Sequence, residues 1–447
     1  MIKFLYKHID NSALIVFRIC FGFLIFMESA GSMMTGWLKR TLIEPQFTFN
    51  FIGFEFLQPL PGNWMYLYFS IMALCGIMVM IGFKYRWAML SFGVMWACVY
   101  LMQKSSYNNH YYFLMLLNGF MLILPAHRYA SVDVRLNPQL KAISMPNWCR
   151  WIFIIQLFIL YTYASIAKIY PDWLDTTVPE LLMRRKQDYP IVGDLLQQKF
   201  MHYMIAYGGI LFDGLIIPAL LWKRTRKYAF FISIFFHLFN SFVFQVGIFP
   251  YLSLAFCLFF FEPDTIRRIF LRKKPLYSDA QVQIPKNYRV YVSLFSIYFL
   301  IQIALPLRHH LIEDDVLWTE EGHRLSWRMM LRAKGGSTTF RVVNKNTNET
   351  TLVKFEDYLS KKQERTVSSK PDVMWQFAQR LKKTYAEKGQ DVAVYVTAYV
   401  SVNGRRGEML IDPEVALANE EWSHFKHHDW ILPSKPNNES TKPPLNY

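Results

Sequence analysis

Three short sets of polar residues interrupt otherwise apolar sequence, and their types and spacing could do chemistry. Tyr161, Ser165 and Lys168 fall at i, i+4 and i+7 and so share one helix face. A lysine partly withdrawn from water at the end of an apolar helix offers an amine that can take a proton as a general base. The plainer reading is a lysine whose ammonium reaches the lipid headgroups. Asn109 and His110, within Ser105-Ser106-Tyr107-Asn108-Asn109-His110-Tyr111, stand at the mouth of another apolar run. Those two types can donate or accept protons or hold a small polar substrate; a solvated loop capping a helix is the plainer reading. His237, Asn240 and Ser241, at i, i+3 and i+4, occupy one face of a Phe-rich helix, where a hydrogen-bonded core histidine is the alternative. Arg18, Glu28 and Asp213 are further embedded charges, for which ion pairing or helix capping is an adequate account. His424, His427 and His428 read as a polar surface cluster, and no metal site is expected. No HExxH, P-loop, GxGxxG or GxSxG element occurs, so hydrolase and nucleotide chemistry have no support.

These residues draw notice because of what surrounds them. Of 447 residues, 53% are apolar and only 18% charged, where a soluble chain carries about 25% charged residues. The deficit lies almost wholly before residue 306. An ionisable side chain at the centre of a spanning helix costs roughly 2.5–3.5 kcal/mol, so each exception needs a reason. A bilayer takes about 20 apolar residues as a helix, and nine segments qualify: 13–34, 64–82, 87–103, 111–125, 151–169, 203–222, 228–245, 247–261 and 288–306. The last two before residue 262 form two helices or one broken one. No A-x-A-like site follows the first run, which reads as an uncleaved anchor. With the N-terminus inside, the inner loops hold sixteen Lys and Arg and the outer loops seven, the bias expected of cytoplasmic loops. The C-terminal part then lies outside. The net charge of +16 is explained by this loop clustering rather than by nucleic acid. The five cysteines form no CxxC or metal spacing.

The pattern changes after residue 306. Thr338–Val343 and Thr350–Phe355 flank Asn344–Asn348 as a hairpin. Met374, Phe377, Ala378, Leu381 and Tyr385 recur at helical spacing, with Gly389 at the end. Val392, Val394, Val396, Ala398, Val400 and Val402 alternate before an Asn403-Gly404 turn. The expected architecture is a polytopic α-helical membrane domain of about nine spans over residues 1–306. A mostly β, sandwich- or jelly-roll-like domain with one helix follows over residues 307–433, and then a disordered tail over 434–447. The long outer loops 35–63 and 170–202 are expected to fold over something and to carry function.

Ser106-Tyr107-Asn108-Asn109-His110-Tyr111 with Ser131-Val132-Asp133 resembles the NNH…NRxxSVD stretch of the vitamin K-dependent γ-glutamyl carboxylase family. Ala164-Ser165-Ile166-Ala167-Lys168 with Asp172-Trp173 resembles its AGxxKxxxDW segment. Phe236-His237-Leu238-Phe239-Asn240-Ser241, followed by Phe244, Gly247, Phe249 and Tyr251, is similar to its FHxxNSxxFxxGxFxY stretch. Trp318–Met330 and Asp412-Pro413 are similar to its lumenal domain. The likeness covers roughly residues 10–433, four motifs in the family's order. It implies an enzyme that epoxidises reduced vitamin K (phylloquinol or menaquinol) with O2 and couples this to CO2 addition at glutamyl side chains of a protein or peptide. It makes Lys168 the hydroquinone base, gives His110 and Asn109 a binding or polarising role, and lines the quinone pocket with His237 and Asn240, Tyr161 and Ser165 sharing the face of Lys168. Some members tie a lumenal loop to the soluble domain by a disulfide; here no cysteine follows Cys257. Two other readings stay open: a quinol oxygenase that carboxylates no protein, and a non-catalytic membrane binding or assembly module. Setting and partners follow: membrane lipids, a lipid quinol, a glutamate-containing polypeptide, and either a bacterial inner membrane or the ER membrane.

Overall fold

The computed structural model describes residues 1–279 and 281–434; the expected tail beyond Ser434 lies outside the described residues. Helices cover all nine apolar segments: α1 (Ser12–Met34), α2 (Trp64–Ile81), α3 (Tyr85–Met102), α4 (Asn109–Ile123), α5 (Trp148–Ile166), α6 (Lys199–Leu221), α7 (Arg226–Phe239), α8 (Phe249–Phe256) and α9 (Tyr288–Leu307). Among the described residues six helices are long and apolar enough to cross a membrane: α1, α2, α5, α6, α7 with its following turn, and α9. The chain is a membrane protein on this ground. Helix α4 has 15 residues and α8 only 8, too short for the usual 17–25.

Local sequence explains the breaks. Between α7 and α8 the chain makes a π turn at Asn240–Phe244, then takes left-handed backbone at Gln245 (φ 53°) and Gly247 (φ 65°). Pro250 sits in the first turn of α8, where its missing N–H costs nothing. The segment is two helices, not one. Gly22 of α1 and Gly76 of α2 let those helices cross in contact. A Cβ at Gly22 would lie 2.3 Å from the Met80 amide nitrogen, and one at Gly76 2.7 Å from that of Phe26, the small-residue logic of membrane helix pairs. Arg18 is fully buried and donates to the Ala126, Tyr129 and Ala130 carbonyls at 3.4, 3.4 and 2.7 Å. At that same end a two-stranded sheet pairs β1 (His8–Asp10) with β2 (Ser144–Pro146).

The C-terminal domain differs from the expected sandwich. Among the described residues its only sheet is four-stranded and antiparallel, in the order β4-β3-β5-β6, with β3 at Lys334–Asn344, β4 at Thr350–Leu352, β5 at Val392–Val402 and β6 at Glu408–Met409. Beside the single turn Val316–Thr319, two longer helices, α10 (Lys361–Val367) and α11 (Pro371–Ala386), stand where one was expected. The valines of β5 bury one sheet face against Met374, Phe377 and Leu381 of α11. The other face carries Tyr395, Thr397 and Tyr399, which tolerate water, so no second sheet is required. The expected hairpin is present, with Val342 opposite Thr351.

The two long loops dock this domain. Phe47, Phe49, Trp173 and Val178 share one apolar cluster with its core. Gln363 Nε2 donates to the Phe47 carbonyl at 2.7 Å and Gln376 Nε2 to that of Asn50 at 3.0 Å. Asp372 accepts from Arg324 at 2.6 Å and meets the Lys104 ammonium at 2.5 Å. Burial alone would raise the Asp372 carboxyl, but Arg324 and Lys104 overturn that and hold it well below the usual carboxylate range. Asp172 accepts from Asn403 (2.9 Å) and Arg405 (2.6 Å).

Candidate active site

Helices α5 and α6 pack closely enough for Ser165 Oγ to donate to the Ile210 carbonyl at 2.9 Å. Gly209 and Gly214 make the room: the Lys168 chain passes 3.9 Å from where a Cβ at Gly209 would stand. One turn beyond Ser165, Lys168 Nζ donates to Asp213 Oδ2 at 2.6 Å and to the Ala164 carbonyl at 3.0 Å. Both side chains of this ion pair are buried, at 10% and 7% exposure. The ammonium also lies 5.7 Å from the centre of the Trp173 ring. The lone amine expected from sequence is therefore half of a pair.

From α7, His237 points at the same place. Its Nε2 lies 3.2 Å from the Tyr161 hydroxyl, while its Nδ1 is buried without a partner. The His110 ring stacks on Phe249 with centroids 4.0 Å apart and planes 15° apart. Phe249 also meets His237 edge-on at 6.3 Å. His110, Tyr161, Lys168, Asp213, His237 and Asn240 thus line one cavity of about 170 Å³. Its remaining walls are aromatic and apolar, and Met329 and Met330 of the C-terminal domain close one side. The segment bearing them holds left-handed backbone at Leu325, Trp327 and Met330, with φ of 62°, 56° and 55°, strain of the kind that surrounding structure must hold in place.

Two expected residues lie elsewhere. Asn109 does not line the cavity; it accepts from the Tyr107 hydroxyl at 2.8 Å and donates to the Arg328 carbonyl at 2.9 Å, tying α4 to the C-terminal domain. Ser165 is spent on the α5–α6 contact. His427 and His428, read from sequence as surface residues, instead hold the Glu321 carboxylate at 2.7 and 2.5 Å. Conversely, sequence gave Asp213 no site role, although an acid inside Leu211-Phe212-Asp213-Gly214 was a signal. Glu28 is the other such residue. It lines a groove of about 1090 Å³ beside the cavity, together with Tyr111 and Ile248. Cavity and groove share His110, Val246, Phe249 and Met330 as walls.

Residues 6–265 match the family model of the HTTM domain, and residues 287–437 match that of the vitamin K-dependent gamma-carboxylase lumenal domain. The chain belongs to the vitamin K-dependent gamma-carboxylase family. No solved structure matches it. Membership of the carboxylase family directs attention to reduced vitamin K, and the site can be tested for it. An aromatic head with an apolar tail needs flat walls, few polar contacts and an apolar extension. Phe236, Phe249 and Trp173 supply the first, the unspent His237 Nδ1 and the Lys168–Asp213 pair the second, and the adjoining groove the third. The residues present fit the group.

Proposed function

We propose that this protein carboxylates glutamyl side chains in a reaction coupled to epoxidation of reduced vitamin K by O2. The observation that carries this reading is a buried lysine–carboxylate pair facing two histidines in a largely apolar cavity. A glutamate γ-proton is too weakly acidic for a side chain working near neutral pH; oxidation of the bound quinol supplies the stronger base.

The chain's own residues have four tasks. The Lys168–Asp213 pair takes one proton from a quinol hydroxyl. The pair is neutral overall before that transfer and carries one positive charge after it, whichever atom holds the proton, so it becomes the counter-ion of the anion left behind. His237, held through Nε2 by Tyr161, keeps Nδ1 for a substrate oxygen. His110, braced on Phe249, stands where cavity and groove meet. The apolar walls exclude water that would quench a strong base. The glutamyl chain enters past Met329 and Met330, on the side of the C-terminal domain. In this proposal residues 1–306 are the catalytic domain; six long apolar helices span the bilayer, and α3, α4 and the short α8 with the broken turn before it complete the crossings inside the bundle, where protein rather than lipid surrounds them. The N-terminus is cytoplasmic and the C-terminal domain extracytoplasmic, as the basic inner loops support.

The test uses purified protein with reduced vitamin K, O2, labelled bicarbonate and a glutamate-containing peptide. Wild type is expected to form epoxide and acid-stable label together, and Lys168→Ala neither. Epoxide without label from folded wild type would reduce the activity to quinol oxygenation. Formation of neither product by folded wild type would overturn the enzymatic reading.

A further inference from the structure

A second groove, of about 1100 Å³, opens between α4 and α9 at the end of the bundle away from the C-terminal domain. Its polar residues gather at one end: His8 of β1, Arg86 at the start of α3, and Gln283 and Asn287 just before α9. Its apolar wall runs from Ile123 up α4 to Met115. Eight steps of about 1.5 Å make about 12 Å, close to the roughly 15 Å depth of one leaflet in a core about 30 Å thick. Beyond Met115 helix α9 closes on α4, where Gln302 Nε2 donates to the Tyr112 hydroxyl at 2.9 Å. Gly119 forms part of its floor, and a Cβ there would meet nothing within 4 Å.

The groove also separates the first turns of α9 from α4, which α9 meets only from Tyr298 on Phe120 (5.2 Å) onward among the ring contacts and hydrogen bonds of the described residues. Helix α9 leans on α5 through Phe295 on Trp148 (5.3 Å) and Tyr298 on Gln156 (2.6 Å), and only Gln302 and Pro306 of it are buried. Yet α9 is the helix that leads into the C-terminal domain. Arg86 carries the only formal charge among the described lining residues, and no carboxylate among the described residues pairs with it. The nearby Asp133 carboxylate is spent on the Lys84 and Tyr85 amides at 2.7 and 3.0 Å.

We infer that this groove holds one anionic glycerophospholipid. Its phosphate sits against Arg86 and its acyl chains fill the channel between α4 and α9. An apolar channel one leaflet deep, polar at the headgroup level and bearing an uncompensated cation, has the shape and charge of that molecule. The lipid completes the packing of α9 and so steadies the link to the C-terminal domain.

The test is native mass spectrometry of the full chain, delipidated and then exposed to phosphatidylglycerol or phosphatidylcholine. Wild type is expected to retain one phosphatidylglycerol. Arg86→Gln should bind it roughly fivefold more weakly while phosphatidylcholine is unchanged, and Arg86→Lys should recover most of the difference. Gly119→Leu, which fills the floor, should lose both lipids; if it does not fold, Ile123→Trp fills the same space from an exposed wall. Wild-type retention of phosphatidylglycerol in Arg86→Gln and in the filled variant would overturn the inference. So would a dimer of the chain that those substitutions dissolve, since a second copy would then be the occupant.

Discussion

Replacing Asp213 by Asn would leave a buried Lys168 ammonium without the carboxylate that now stands 2.6 Å away. Breaking a buried pair from one side costs about 3–5 kcal/mol of stability. The catalytic loss is separate. A positioned proton acceptor contributes roughly 10²–10⁴ in rate, which is about 2.7–5.4 kcal/mol of barrier at about 1.36 kcal/mol per tenfold. If the pair is one device, Asp213→Asn and Lys168→Ala should each lower the initial rate of epoxide formation about 100-fold or more. The double variant should fall no further than Lys168→Ala alone, because a unit is lost only once. Independent groups would instead multiply, to about 10⁴-fold or beyond. The assay is chromatographic quantitation of epoxide from reduced vitamin K, with each variant's thermal midpoint recorded. A Lys168→Met, Asp213→Leu pair serves as control, since apolar replacement of a buried ion pair is often neutral or stabilising. It should be folded and inactive. Asp213→Asn activity within about threefold of wild type, or losses that multiply in the double variant, would refute the reasoning.

Other outcomes follow from the same geometry. Tyr161→Phe removes the hydroxyl 3.2 Å from His237 Nε2; a net hydrogen bond of about 0.5–1.5 kcal/mol predicts a two- to roughly tenfold loss of epoxide rate with little change in thermal midpoint. Gly22→Leu drives a side chain into the Met80 backbone, and is expected to cost over about 3 kcal/mol, read as loss of monodisperse protein on gel filtration. Burial lowers the Lys370 ammonium to about 8, with Glu320 opposing and Arg324 and Arg332 adding to the shift. The folded value lies below the ordinary lysine value of 10.5, so the folded state is penalised while this amine is charged. Its contribution to stability therefore rises with pH from about 8 towards 10.5. The thermal midpoint of Lys370→Met should exceed that of wild type at pH 7 and approach it at pH 10.

Sequence carried the site further than the soluble domain. Apolar runs announce helices because a bilayer leaves the backbone no other partner, and a lysine or histidine inside such a run stands out. Lys168, His110, His237, Asn240 and Tyr161 were therefore visible as candidates, and the structure brings them to one cavity. Periodicity says which residues share a helix face but not which face meets which. That is why Asp213, on another helix and 45 positions away, was read only as a paired or capping charge. Asn109 and Ser165 looked equivalent to their neighbours until tertiary contacts showed where their hydrogen bonds go. In the C-terminal domain the alternation of β5 identified the strand and its buried face. It could not say whether a sheet or a helix covers that face, and α11 does so with a stripe that was itself legible. The capping box of α10, in which Ser360 and Gln363 bond each other's backbone, was the missed sign of the second helix.

The most direct test of the central claim is the fate of the γ-proton itself. A peptide tritiated at the glutamate γ-carbon would be incubated with purified protein, reduced vitamin K and O2, without bicarbonate, and tritium released to water counted. Release that needs all three components and vanishes in Lys168→Ala is the predicted result. Epoxide formation by wild type with no tritium release would contradict it, because quinol oxidation would then proceed without generating a base that reaches glutamate.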